Sequence, residues 1–166
     1  MKALKTTLSG FTVLILIAAV FSLSSCKKDK ENTTSDSHWS VDNRSFEANK
    51  LGAAVVANDT AAVFGAATKA NEAILILFKS LPSAGTYKIV GALEKSIEDY
   101  NADECSILIT AKNPTASYLS APATNNTLQI TSRGGKLTAT FSNIDMYYLS
   151  GGETLYTTAI GTLVEK

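Results

Sequence analysis

Five oxygen-bearing side chains crowd one short stretch of this sequence: Glu98, Asp99, Asn101, Asp103 and Glu104. Asp99, Asn101 and Asp103 alternate as the first ligands of a calcium loop do, since a hard cation collects oxygen donors from alternate residues of a tightly turning chain. The EF-hand pattern then breaks, because glycine is needed where Glu104 stands and a bidentate glutamate where Thr110 stands. The stretch reads as a solvated acidic loop, with a looser calcium site as the alternative. Its carboxylates Glu98, Asp99 and Glu104 also offer the raw material of a hydrolase, a chemistry that depends on a separation and environment that linear spacing does not fix. His38 is the one histidine, so a histidine-rich metal site or a Ser-His-Asp site away from this position has no ligand or base to draw on. Cys105 shares an alternating face with Ile107 and Ile109, which reads as a buried, inert thiol, because activation needs a neighbouring base or positive charge.

The aromatic residues suggest recognition instead of bond breaking. Trp39, Tyr100, Tyr118, Tyr147, Tyr148 and Tyr156 carry apolar faces with polar edges, the combination that stacks on sugar rings. Adjacent Tyr147 and Tyr148 point to opposite faces of any strand that contains them, so one serves the core while the other meets solvent. Trp39, Tyr147 and Tyr148 are the candidate glycan contacts; ordinary core packing is the competing use.

The N-terminus carries a different kind of signal. Lys2 and Lys5 precede an apolar run from Phe11 to Phe21, and Leu23-Ser24-Ser25-Cys26 follows. The order of positive, apolar and small residues is that of a secretory signal, and the run is short of the roughly 20 residues of a membrane-spanning helix. Leu23-Ser24-Ser25-Cys26 resembles the lipobox of bacterial lipoproteins. The resemblance implies that residues 1–25 are removed and that Cys26 carries the covalent lipid, palmitate included. At about 0.8 kcal/mol per buried methylene, two or more acyl chains keep a protein at a bilayer where one holds it only reversibly. Residues 26–37 then form a polar tether with no aliphatic or aromatic side chain, which cannot bury enough surface to offset ordering. Its reach averages about 18 Å, with roughly 36 Å as the extended limit.

Charge and size bound what remains. The chain has 166 residues, with 15 basic and 15 acidic side chains, and loss of Lys2 and Lys5 with the signal leaves a slight acidic excess. That balance excludes the clustered positive charge of a nucleic-acid binder. Residues 38–166 are enough for one hydrophobic core, and strand signals dominate them. Val41 to Phe46 reads as two extended pieces around an Asp42-Asn43 turn. Leu51 to Ala57 and Ala61 to Thr68 read as a hairpin joined by Asn58-Asp59-Thr60, although the alanines of 53–67 also suit a helix. Ala73 to Phe78 is apolar on both faces, as in a central strand. Thr86 to Val90, Cys105 to Thr110, Thr127 to Thr131, Lys136 to Phe141, Met146 to Leu149 and Thr154 to Val164 complete the set, with a helix expected near Leu93 to Tyr100. The fold class is therefore all-β, an antiparallel sandwich or partly open barrel of about eight to ten short strands.

The opening Trp39-Ser40-Val41-Asp42-Asn43 with Phe46, then Gly85-Thr86-Tyr87, and the closing Leu137 to Phe141 with Gly161 resemble small all-β lipoproteins of Bacteroidota, although Asn43 stands where glycine is common in that opening. The resemblance carries no catalytic assignment. It implies an outer-membrane lipoprotein, on the periplasmic or the external face. Asp59-Thr60-Ala61 resembles the short O-glycosylation acceptor of the same bacteria, which makes Thr60 a candidate modification site. The sequence thus leads to a non-catalytic, cofactor-free module that binds glycan or protein at the envelope; an envelope hydrolase and a purely structural envelope component are the alternatives. Radiolabelled palmitate is expected in the wild-type protein and absent from Cys26→Ala, and equal labelling of the two removes the anchor.

Overall fold

The computed structural model describes residues 36–56, 61–122, 125–150 and 152–165. The signal segment, Cys26, most of the tether and Thr60 lie outside them. The chain is all-β, and its strands join one eleven-stranded sheet. The first hairpin pairs β1 (His38–Val41) with β2 (Arg44–Glu47). Asp42 and Asn43 turn it at φ 53° and 59°, the left-handed conformation that a two-residue hairpin loop requires and that short polar side chains tolerate. β3 (Lys50–Val56) and β4 (Ala61–Ala67) form the second hairpin, and β5 (Ala73–Phe78) pairs with β4 on its other side. All of β4 and β5 is buried. Alanine's helix propensity across 53–67 thus yields to pairing within the sheet, where small side chains let neighbours close in.

The next strands are β6 (Gly85–Ile89), β7 (Glu104–Ala111), β8 (Ala116–Ser120), β9 (Thr127–Arg133), β10 (Lys136–Ser150) and β11 (Glu153–Val164). β7, β6, β9, β10 and β8 pair in a ring, and β8 closes it by bonding both β10 and β7. β11, β1 and β2 extend the sheet from β10, and β5, β4 and β3 extend it from β7.

Four expectations from the sequence are corrected here. The described residues form eleven strands, and β8 is the one without a forecast. The sheet is not wholly antiparallel, because β6 and β7 run parallel. Strand direction must return to itself around a closed ring, so an odd ring contains at least one parallel contact. That contact needs a long crossover, which residues 90–103 supply. The helix expected over Leu93 to Tyr100 is a single 3-10 turn, Ile97–Asp99. Leu93 is exposed and gives that segment no apolar stripe to bury. Finally, Lys136 to Phe141 and Met146 to Leu149 belong to one strand. A bulge falls between Phe141 and Ile144, with Asn143 at φ 52°. Strict alternation would send Ile144 outward, and the extra residue returns it to the core beside Phe141.

The core is continuous across ring and extensions. Trp39 stacks on Phe46 at 5.4 Å, and Phe78 meets the Tyr87 ring edge-on at 5.0 Å. In the row Trp39, Gly161, Phe141 across β1, β11 and β10, only glycine fits, since a Cβ at 161 would stand 2.6 Å from the Phe141 ring and 2.9 Å from Trp39 Cβ. Arg44 ties the first hairpin to the β7–β8 turn. It donates to the carbonyls of Lys112 and Pro114 and to the Tyr118 hydroxyl, which in turn donates to Asp42.

One side chain bridges the point where the sheet divides. Along β7, pairing with β6 ends at Cys105 and pairing with β8 begins at Leu108. Between them the Ile107 N–H donates to Ser120 Oγ at 3.2 Å, and that hydroxyl donates to the Val90 carbonyl at 2.7 Å, all buried. Ser120→Ala strands both groups away from water. The expected cost is about 2–3 kcal/mol, read in urea denaturation as a lower midpoint at unchanged slope; an unchanged midpoint refutes the bridging role.

Candidate functional site

A cleft sits on the outer side of the β10–β11 hairpin. Met146 is fully buried and Tyr148 packs toward the core, so alternation turns Tyr147 between them outward. Tyr147 is directly opposite Tyr156 on β11. The two rings, with Thr154 beside them, form one wall of a cleft of about 270 Å³ whose other lining comes from Gly91, Leu93, Glu94 and Pro122. Tyr156 is 72% exposed and Leu93 64%. That wall is thus aromatic and open to solvent, and the lining includes the carboxylate of Glu94.

The loop that faces the tyrosines is held by backbone bonds from the division of the sheet. Val90 N–H donates to the Cys105 carbonyl at 2.8 Å, and Ala92 N–H to the Ser120 carbonyl at 3.1 Å. Glu94 folds back so that Oε2 accepts the Gly91 N–H at 3.0 Å, while its own N–H donates to the Gly91 carbonyl. The Glu94 side chain occupies the space beside Gly91: a Cβ there would lie 2.7 Å from Glu94 Cγ and would require that side chain to shift. On the far side, Ala121 N–H donates to the Asp145 carbonyl at 2.8 Å and seats Pro122 against β10. Burial, then the neighbouring Tyr156 and Glu94, push the Tyr147 hydroxyl above its ordinary pKa. It therefore stays protonated, a donor as well as an acceptor, across the neutral range.

The candidate glycan contacts separate. Tyr147 lines the cleft. Trp39 does not: it is 1% exposed and stacked inside the core, out of reach of any sugar. Tyr148 is half-buried with its ring tilted onto Tyr118 at 4.9 Å, so it too is a packing residue. Tyr156 takes their place. Leu93, Glu94, Pro122 and Thr154 join from three separate stretches of chain, and no motif marks them, because they are gathered only by the pairing of β8 with β10 and the crossover from β6.

The acidic stretch does not form a cation cage. Among the described residues, no three of His, Cys, Asp and Glu gather around a common point. Asp99, Asn101 and Asp103 are exposed, and the Asn101 N–H is spent on Glu104 Oε2 at 2.7 Å. Glu104 is buried and pairs with Lys95, whose ammonium also lies 5.7 Å from the Tyr100 ring centre. The Lys95 hydrogen bond first, then the Asn101 N–H, hold the Glu104 carboxyl below the usual carboxylate range. A general acid needs the opposite shift. Glu98 and Asp99 are exposed on the 3-10 turn. Behind them Tyr100 donates to Ser106 Oγ at 2.9 Å and closes that side of β7. His38 is an exposed residue of β1, opposite Glu47 and Thr162. Cys105 is fully buried, and desolvation pushes its thiol far above the ordinary range, which keeps it unreactive. No family model matches the chain, and no curated protein or solved structure matches it.

The Glu104 pair makes a pH-dependent contribution to stability. A carboxyl whose folded pKa is depressed stabilises the fold above its unfolded pKa of about 4.3, and that contribution is lost as pH falls through the folded value. Glu104→Gln is expected to cost about 1–2 kcal/mol at pH 7, discounted because Lys95 is partly exposed. In chemical denaturation the gap between wild type and variant should narrow as pH falls below that unfolded value. A gap that does not shrink on acidification refutes the charged pair.

Proposed function

We propose that this protein is a lipid-anchored, non-catalytic module of the bacterial outer membrane that binds glycan in the cleft between Tyr147, Tyr156 and the Gly91–Glu94 loop. The observation that carries this reading is the cross-strand tyrosine pair on an open face. Two rings side by side in one sheet make a flat, amphipathic platform, which suits the apolar face of a sugar ring. Thr154 and the Tyr147 hydroxyl supply polar edges within the same cleft. The lining contains one carboxylate, Glu94, where hydrolysis of a glycosidic bond ordinarily uses a pair. The lipobox resemblance at Cys26 supports the anchor, and the polar stretch up to Ser37 supports a domain carried close to the bilayer on a short tether. The module works without a cofactor other than the covalent lipid, and nucleic acid is not among its partners.

A glycan array probed with the lipidated protein in detergent tests the reading, and specific hits are expected. Tyr156→Ala should weaken each hit about tenfold, roughly 1.4 kcal/mol. Its melting temperature should stay unchanged, because the exposed ring adds little to the core. A uniformly blank array overturns glycan binding.

A further inference from the structure

The charge of the cleft goes beyond the presence of a sugar platform. Among the described residues, Glu94 is the only charged side chain in its lining. The nearest cation in sequence, Lys95, turns away to Glu104 and the Tyr100 ring. Glu94 lines the cleft, and its Oε2 accepts the Gly91 N–H at 3.0 Å, a bond that occupies one of its two carboxylate oxygens. The absence of a side chain at Gly91 lets this carboxylate fold into place. A carboxylate oxygen is an acceptor only, so a ligand group beside it must bring a proton or a positive charge.

Resting on the glycan reading above, we infer that Glu94 is a specificity-determining residue that makes the cleft select glycans rich in hydroxyl or amine donors and reject those bearing carboxylate or sulfate. A neutral ring laid on Tyr147 and Tyr156 offers hydroxyl donors to the Glu94 carboxylate, and an amino sugar adds a cation to the same group and to the tyrosine faces. A uronic acid brings a second anion within a few ångströms. The repulsion is screened because Glu94 is exposed, which sets the expected discrimination near tenfold instead of the far larger effect of a buried pair.

The test compares wild type, Glu94→Gln and Glu94→Lys on the same array, followed by calorimetry with oligogalacturonide as the acidic probe. Glu94→Gln keeps an acceptor for the Gly91 N–H while removing the charge, so it also guards against a folding defect in the lysine variant; melting curves check both. Wild-type hits are expected to lack acidic groups. Oligogalacturonide should bind Glu94→Gln about tenfold more tightly than wild type and Glu94→Lys more tightly still, with the lysine variant's gain shrinking at 0.5 M salt. Acidic glycans among the wild-type hits, or an oligogalacturonide affinity that neither substitution changes, overturns the charge filter and leaves the platform intact. A blank array overturns both.

Discussion

The hydroxyl of Ser120 stands where the sheet divides, and most of what is distinctive in this fold depends on it. A β-sheet satisfies its backbone by continuous ladders, and a strand that changes partners halfway leaves an N–H and a carbonyl without a ladder to join. β7 changes partners between Cys105 and Leu108. Ser120 fills the break from β8, accepting from Ile107 and donating to Val90. Both groups sit where water does not reach, so the alternative to this bridge is the desolvation cost of two buried polar groups. With the bridge in place, β6 diverges from β7 toward β9 while β8 takes up the vacated edge, and the ring closes through β10.

The division also builds the cleft. Once β6 has left β7, the chain must cross back over the sheet to enter β7 in the parallel sense, and the first residues of that crossover are Gly91 to Glu94. Ser120 holds their start twice, through its hydroxyl to Val90 and its carbonyl to Ala92. The end of the crossover is fixed separately by Tyr100 on Ser106 and by Glu104 on Lys95 and Asn101. The candidate site is therefore a by-product of topology: a loop anchored at both ends, laid against a hairpin whose outward face carries two tyrosines.

Much of this architecture is legible in the sequence because most of its determinants are local. Asp42-Asn43 and Gly134-Gly135 mark two-residue turns, and both pairs adopt the positive φ that such turns need. The unbroken apolar run of Ala73 to Phe78 marks a strand buried on both faces, and β5 is one. What stays hidden is non-local. The short β8, with Ala116, Ser117 and Ser120 among its five residues, owes its place to edges left open by β7 and β10. The bulge at Asn143 changes which face every later residue of β10 presents, so the outward choice of Tyr147 over Tyr148 depends on one inserted residue. Trp39 looks like a ligand platform in one dimension and is a core residue in three, because Gly161 opposite makes room for it. Glu94 carries no motif, and its role appears only when Gly91, Pro122 and the tyrosine pair are seen around it.

The long final strand relates the cleft to the other end of the chain. Ser37, where the described N-terminal segment leads into β1, is bonded to Val164: its hydroxyl accepts the Val164 N–H at 2.7 Å and donates to the Val164 carbonyl at 3.2 Å. Tyr156 and Thr154 lie toward the opposite end of the same strand. At about 3.3 Å per residue the separation from Val164 is roughly 26–33 Å. Ser37 and the tyrosine pair thus stand toward opposite ends of β11. The hairpin end carries Leu149 on β10 and Tyr156 on β11, both 72% exposed. The arrangement relies on β11 being a single uninterrupted strand, and Gly161, by accommodating Trp39 and Phe141 on either side, is what allows it to pass through the core without a break.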